Sequence, residues 1–85
     1  MVLHRPGLFF IRLDRGVHAY LRYRIDGKKM YIESTYTPEQ FRGKGLAAKL
    51  MEEAISYAKN QGFEIIPLCS YARRYLKNFL KKKMI

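Results

Sequence analysis

The segment FRGKGLAAKLM, Phe41 to Met51, sets Gly43 and Gly45 and the cations Arg42 and Lys44 immediately before a run of helix formers. The first turn of a helix leaves backbone N–H groups without acceptors, and the helix dipole puts positive potential at the same end. Glycines there let an anion approach bare backbone, so the spacing suits a phosphate or pyrophosphate. The same letters also fit an ordinary glycine-rich start to a helix. They do not form a Walker A loop, which needs four residues between its first glycine and the Gly-Lys pair. Nor do they form the G-x-G-x-x-G turn of dinucleotide-binding folds.

Other side chains with chemistry to offer are few. Cys69 is the single cysteine, which excludes an intrachain disulfide framework and a zinc site built from several thiolates. A lone thiol is commonly a small, buried and inert residue. His4 and His18 have no companion cluster, so no metal site is expected. Glu33 reads either as a general base or as the cross-strand partner of an arginine. Of the seven tyrosines, Tyr20 and Tyr31 are candidates for stacking on nucleobases, and most of the others read as core.

The elements that must position these residues follow from periodicity. Leu8 to Leu13 is apolar and aromatic, a first strand. From Val17 to Ile25 the chain alternates, with Val17, Ala19, Leu21, Tyr23 and Ile25 on one face and His18, Tyr20, Arg22 and Arg24 on the other. Asp26-Gly27 signals a hairpin into a third strand, Lys29 to Thr37. Pro38 ends it by restricting the residue before it. An apolar stripe from Leu46 and Ala47 through Leu50, Met51, Ala54, Ile55 and Ala58 predicts a helix over Gly45–Asn60, stopped at Gly62. Phe63 to Leu68 is a short buried strand, and strand, helix, strand implies a crossover to a parallel pair. A second helix is predicted from Ser70, a plausible N-cap, to about Lys82. It turns Ala72, Leu76, Phe79 and Leu80 inward and Arg73, Lys77 and Lys81 outward. The predicted class is α+β, in the order β-β-β-α-β-α, as one domain over residues 1–85.

Composition narrows the partners. The chain has 85 residues, 48% apolar and 14% aromatic, enough for one small core and too apolar for disorder. No apolar run has the length of a membrane segment, and the sequence reads as a soluble cytoplasmic protein without membrane contact. Net charge is +10, which attracts polyanions and repels a free cationic substrate such as a polyamine.

The run Arg42-x-x-Gly45-x-Ala47 resembles the (Gln/Arg)-x-x-Gly-x-(Gly/Ala) signature of the GNAT superfamily, the acetyl-CoA-dependent N-acetyltransferases. The proline-containing turn in STYTPEQFRGKG precedes it as in that family, and the match runs from about Ile32 to Phe79. The tail IIPLCSYARRYLKNF further resembles a short free-standing branch called YjdJ-type. The resemblance implies a minimal GNAT-like fold and a cofactor, acetyl-CoA or CoA. Its pyrophosphate would lie on the backbone of Arg42, Gly43, Lys44, Gly45, Leu46 and Ala47. Its pantetheine arm would pair with the main chain of Ser34, Thr35 and Tyr36, and the acetyl group would sit between the third strand and Phe63–Leu68.

Cys69 would then face the acetyl position. A thiolate there, favoured by the helix after it and by nearby cations, could carry the acetyl group covalently. Tyr71 or Tyr75 could protonate the departing CoA thiolate. The usual Ala-x-x-x-Tyr spacing from Ala72 falls on Leu76, so both tyrosines stay open. The terminal LKKKMI reads as a solvated helix end, or as a contact for the 3′-phosphate of CoA or for RNA. Larger members carry extra N-terminal helices and two C-terminal strands that shape the amine site; 85 residues leave no room for these, so the acceptor is unknown. The favoured expectation is an N-acetyltransferase, monomeric or weakly dimeric, touching nucleic acid only weakly and non-specifically. The alternative is a basic module for RNA or an acidic protein on a GNAT-like scaffold.

Overall fold

In the computed structural model, which describes residues 1–83 with side chains as far as Phe79, the alternating segments become strands of one five-stranded sheet. β1 (Leu3–Arg5), β2 (Leu8–Asp14), β3 (Val17–Asp26) and β4 (Lys29–Tyr36) form an antiparallel meander. Helix α1 (Leu46–Gln61) crosses to β5 (Glu64–Pro67), which lies parallel to β4. Helix α2 (Ser70–Lys83) follows. The class is α+β with a mixed sheet. The expectations for the side chains of Leu80 and Lys81, and for LKKKMI as a contact, lie outside the described residues.

The strand order expected from the sequence lacks β1. Three residues are too short to show alternation, and β1 is secured instead by contacts made at a distance. Pro6-Gly7 turns the chain into β2, with Gly7 at φ 84, a left-handed conformation that suits glycine after proline. The Gly7 carbonyl accepts the Tyr23 N–H at 3.0 Å. On β1 the His4 ring stacks on Phe9 with centroids 4.0 Å apart and hydrogen-bonds the Tyr23 hydroxyl.

Successive strand residues point to opposite faces, and one face here is apolar. Phe9, Ile11, Ala19, Leu21, Met30 and Ile32 form it, and α1 lays Leu50, Met51, Ala54 and Ala58 across them. Ala72 of α2 is buried in the same cluster, so both helices cover one side of the sheet. Each large side chain buried there stabilises the fold by roughly 1.5–3 kcal/mol. His18, Arg22 and Arg24 are exposed on the other face. Ile25, assigned to the apolar row, is 38% exposed because it sits at the hairpin end of β3, beside the turn.

Two irregularities shape the site. Arg22 opposes Ser34 but Tyr23 opposes Ile32, which leaves Glu33 as an extra residue in β4, a bulge. The β4–β5 ladder runs only from Lys29 and Glu64 to Ile32 and Pro67. There the chain turns away, with the N–H groups of Leu68 and Cys69 both reaching the Ile32 carbonyl at 2.9 and 3.3 Å. Beyond Ile32, β4 continues to Tyr36, and among the described residues no strand lies on its β5 side.

Candidate functional site

The gap left by the diverging strands opens into a cleft of about 410 Å³ between the end of β4 and the start of α1. Thr35 and Tyr36 line it from the strand; Arg42, Gly43, Gly45, Leu46 and Ala47 line it from the loop and helix. Gly43 and Gly45 have φ 83 and 75, values that L side chains rarely adopt, so both glycines are required by the backbone itself. A Cβ at either would meet nothing within 4 Å.

Gly45 is the N-cap of α1 and, as glycine, offers no side-chain cap. The first bond to close the helix runs from Lys49 N–H to the Gly45 carbonyl at 3.1 Å. The N–H groups of Leu46, Ala47 and Ala48 therefore have no acceptor within the helix, and all three residues line the cleft. That donor set, at the positive end of a 16-residue helix, fits a pyrophosphate. The Arg42 guanidinium is partly committed: its Nε donates to the Thr37 carbonyl at 3.1 Å and ties the loop to the end of β4. Ser34 and Lys44 do not line the cleft. Ser34 shares the row of Arg22 on the opposite sheet face, and the Lys44 ammonium lies 5.8 Å from the centre of the Phe41 ring.

Cys69 does not itself line the cleft; it stands where β5 has ended. Its carbonyl accepts the Arg73 N–H at 3.1 Å and its sulfur accepts the Ala72 N–H at 3.4 Å. The capping residue of α2 is therefore Cys69 and not Ser70, which is the first residue of the helix. The Cys69 Sγ is 4.0 Å from the Thr35 hydroxyl, so the thiol and the open end of β4 meet at one place.

The two tyrosines part company. Tyr71 lines the cleft, whereas Tyr75 does not and stacks toward Phe79, ring centroids 6.5 Å apart. Burial, and then the neighbouring Tyr75, push the Tyr71 hydroxyl above its ordinary value. Burial, and then Glu52, do the same for Tyr75. Glu33 is the cross-strand partner of Arg24, at 3.4 Å from its Nε. It is also the bulge residue, a role that only the consecutive polar pair Glu33-Ser34 could have announced. Among the described residues no three His, Cys, Asp or Glu side chains gather as a metal site, and no helix is long and apolar enough to cross a membrane.

A mixed sheet with one parallel pair, crossed by a helix and followed by a second, is the α+β arrangement of a minimal GNAT-like fold. The chain belongs to the GCN5-related N-acetyltransferase family, whose model matches residues 8–82. It is similar to Protein NATD1 of Xenopus tropicalis, 33% identical over 72 residues that cover 81% of this chain and 65% of that protein. Protein NATD1 of Gallus gallus and of Homo sapiens are each 31% identical over 72 residues, covering 81% of this chain and 64% and 63% of theirs. The chain thus spans less than two thirds of the length of these relatives. The match is made at the level of the superfamily, and the YjdJ-type branch stays an expectation from the sequence.

Proposed function

We propose that the chain binds acetyl-CoA along this cleft and transfers the acetyl group to an amine. The observation that carries the reading is the meeting, in one cleft, of three helix N–H groups without helical acceptors and a strand edge without a neighbour. The N–H groups of Leu46, Ala47 and Ala48 would hold the pyrophosphate, and the β4 main chain from Ser34 to Tyr36 the pantetheine arm. Bound acetyl-CoA supplies an activated thioester acyl group. The rest of the chemistry falls to the chain.

Tyr71 would give its hydroxyl proton to the sulfur as the carbon–sulfur bond breaks, and regain one from the ammonium formed on the acceptor. Cys69 is the candidate for a covalent stage in the same transfer. The acceptor is an amine on a small molecule or a protein; the charge of +10 disfavours a polycationic one. Titration calorimetry with CoA tests the reading, with one site per chain expected. Absence of binding would remove it.

Tyr71→Phe is expected to lower kcat about tenfold, less than the 10²–10⁴ common for acid catalysis, since a thiolate leaves fairly well unprotonated. An acid works in its protonated form, and burial raises the Tyr71 value above 10. The decline of kcat that Tyr71 ionisation causes should therefore have its midpoint above the ordinary tyrosine value and vanish in Tyr71→Phe. Tyr75→Phe should leave both rate and profile near wild type; a larger loss in Tyr75→Phe would transfer the role to it.

A further inference from the structure

Both helices cover one side of the sheet, and among the described residues nothing covers the other. The register sets its residues in rows. Leu3, Phe10, Tyr20 and Tyr36 form one row across four strands, and Arg5, Leu8, Arg22 and Ser34 form the next. Arg12 and His18 flank the aromatic row on its far side.

Between these rows lies a second cleft of about 380 Å³ with Phe10 and Tyr20 at its floor and Arg5, Arg12, Arg22 and His18 around it. Among the described residues no carboxylate lines it. Phe10 is only 8% exposed beneath these neighbours, and its ring meets His18 edge-on at 5.8 Å. The Tyr20 and Tyr36 rings are 5.5 Å apart. Among the described residues Arg5, Arg12 and Arg22 make no ion pair, while Arg24 is engaged by Glu33.

Three unpaired cations around apolar rings specify the occupant by charge and shape. A second copy of the chain would bring like charges together at a net charge of +10. A duplex would satisfy the arginines but hide its bases from the rings. We infer that this face binds single-stranded nucleic acid, with phosphates on Arg5, Arg12 and Arg22 and bases stacked over Tyr20 and Tyr36. Guanidinium is suited to both duties, bidentate on phosphate and flat on a base. The Arg22 guanidinium already lies 5.6 Å from the centre of the Tyr20 ring. A bound strand would exchange that contact, giving the cation a phosphate and the ring a base. Stacking of this kind tolerates any base, so binding would be sequence-tolerant. Tyr36 lines both this face's aromatic row and the transferase cleft, yet the inference does not depend on acetyl-CoA binding.

The test is fluorescence anisotropy with a labelled twelve-nucleotide uridine strand at physiological salt. Tyr20→Ala should weaken binding roughly tenfold through the lost stack. The pair Arg12→Gln and Arg22→Gln should weaken it further and lower the salt slope by about 0.7 per lost contact. Lys59→Gln with Lys77→Gln removes equal charge from the exposed helix surfaces and should change affinity little. Circular dichroism and thermal melting report whether each variant is folded. Equal weakening by both double variants would reduce the effect to bulk charge and overturn the inference. So would equal affinity for a duplex or a glutamate-rich peptide, or no binding at physiological salt.

Discussion

Saturating acetyl-CoA is expected to raise the melting temperature by about 10 °C or more. A ligand at a hundredfold excess over its dissociation constant stabilises the folded form by about 2.7 kcal/mol. Each kcal/mol moves the midpoint by roughly 4–8 °C in a domain of this size. Gly45→Glu should abolish the shift, because it sets bulk and negative charge where the phosphates approach. Gly45 has φ 75, so any side chain there strains the backbone, by roughly 1–2 kcal/mol. The glutamate variant will therefore melt lower even without ligand. Gly45→Ala carries the same strain without the charge, and its Cβ meets nothing within 4 Å. It should melt lower yet keep most of the ligand shift. A full shift in Gly45→Glu would move the pyrophosphate elsewhere.

Removal of the thiol should have the largest effect on turnover. If Cys69 carries the acetyl group, Cys69→Ala should lower kcat by roughly 10³-fold or more, as loss of a covalent nucleophile does. The sulfur is held by the Ala72 N–H at the start of α2, where helix donors can also stabilise negative charge developing on it. Transfer would form a carbon–sulfur bond to Cys69 and break the one to CoA, which leaves as a thiol after gaining the cysteine's proton. The two thioesters are close in energy, so incubation with acetyl-CoA alone should leave one added acetyl group in the intact mass, removable by hydroxylamine. Cys69→Ser should lose the adduct and still show the thermal shift. Equal rates for wild type and Cys69→Ala would make the residue a helix cap only, with transfer passing directly to the amine.

The elements were readable where periodicity was long. The stripe through Leu50, Met51, Ala54 and Ala58 has one structural solution, and the alternation of β3 another. β1 was hidden because Leu3–Arg5 owes its conformation to Phe9 and Tyr23 and not to its own letters. The Pro6-Gly7 pair was the available signal. Within the site, the glycines could be read because a left-handed backbone leaves few other residues. The capping role of Cys69 could not, since serine at position 70 is the stronger capping type and only the path of the backbone decides between them. Nor could the choice between Tyr71 and Tyr75, which share a helix face one turn apart and differ in how far along α2 they stand from the cleft.

The short seam between β4 and β5 also bears on time. Within the meander each strand pairs with its neighbour in sequence, whereas Lys29–Ile32 and Glu64–Pro67 meet only after the chain has looped through all of α1. Such closures cost chain entropy and tend to open as units. Amide deuterium uptake should accordingly be faster in β5 and α2 than in β2, β3 and α1. On that expectation Cys69 and Tyr71 would belong to the part that opens, and Gly43 to Ala47 to the part that stays. The site would then be complete only for the fraction of molecules in which the seam is shut, and apparent affinity scales with that fraction. Stabilising α2 far from the cleft should tighten acetyl-CoA binding without touching it.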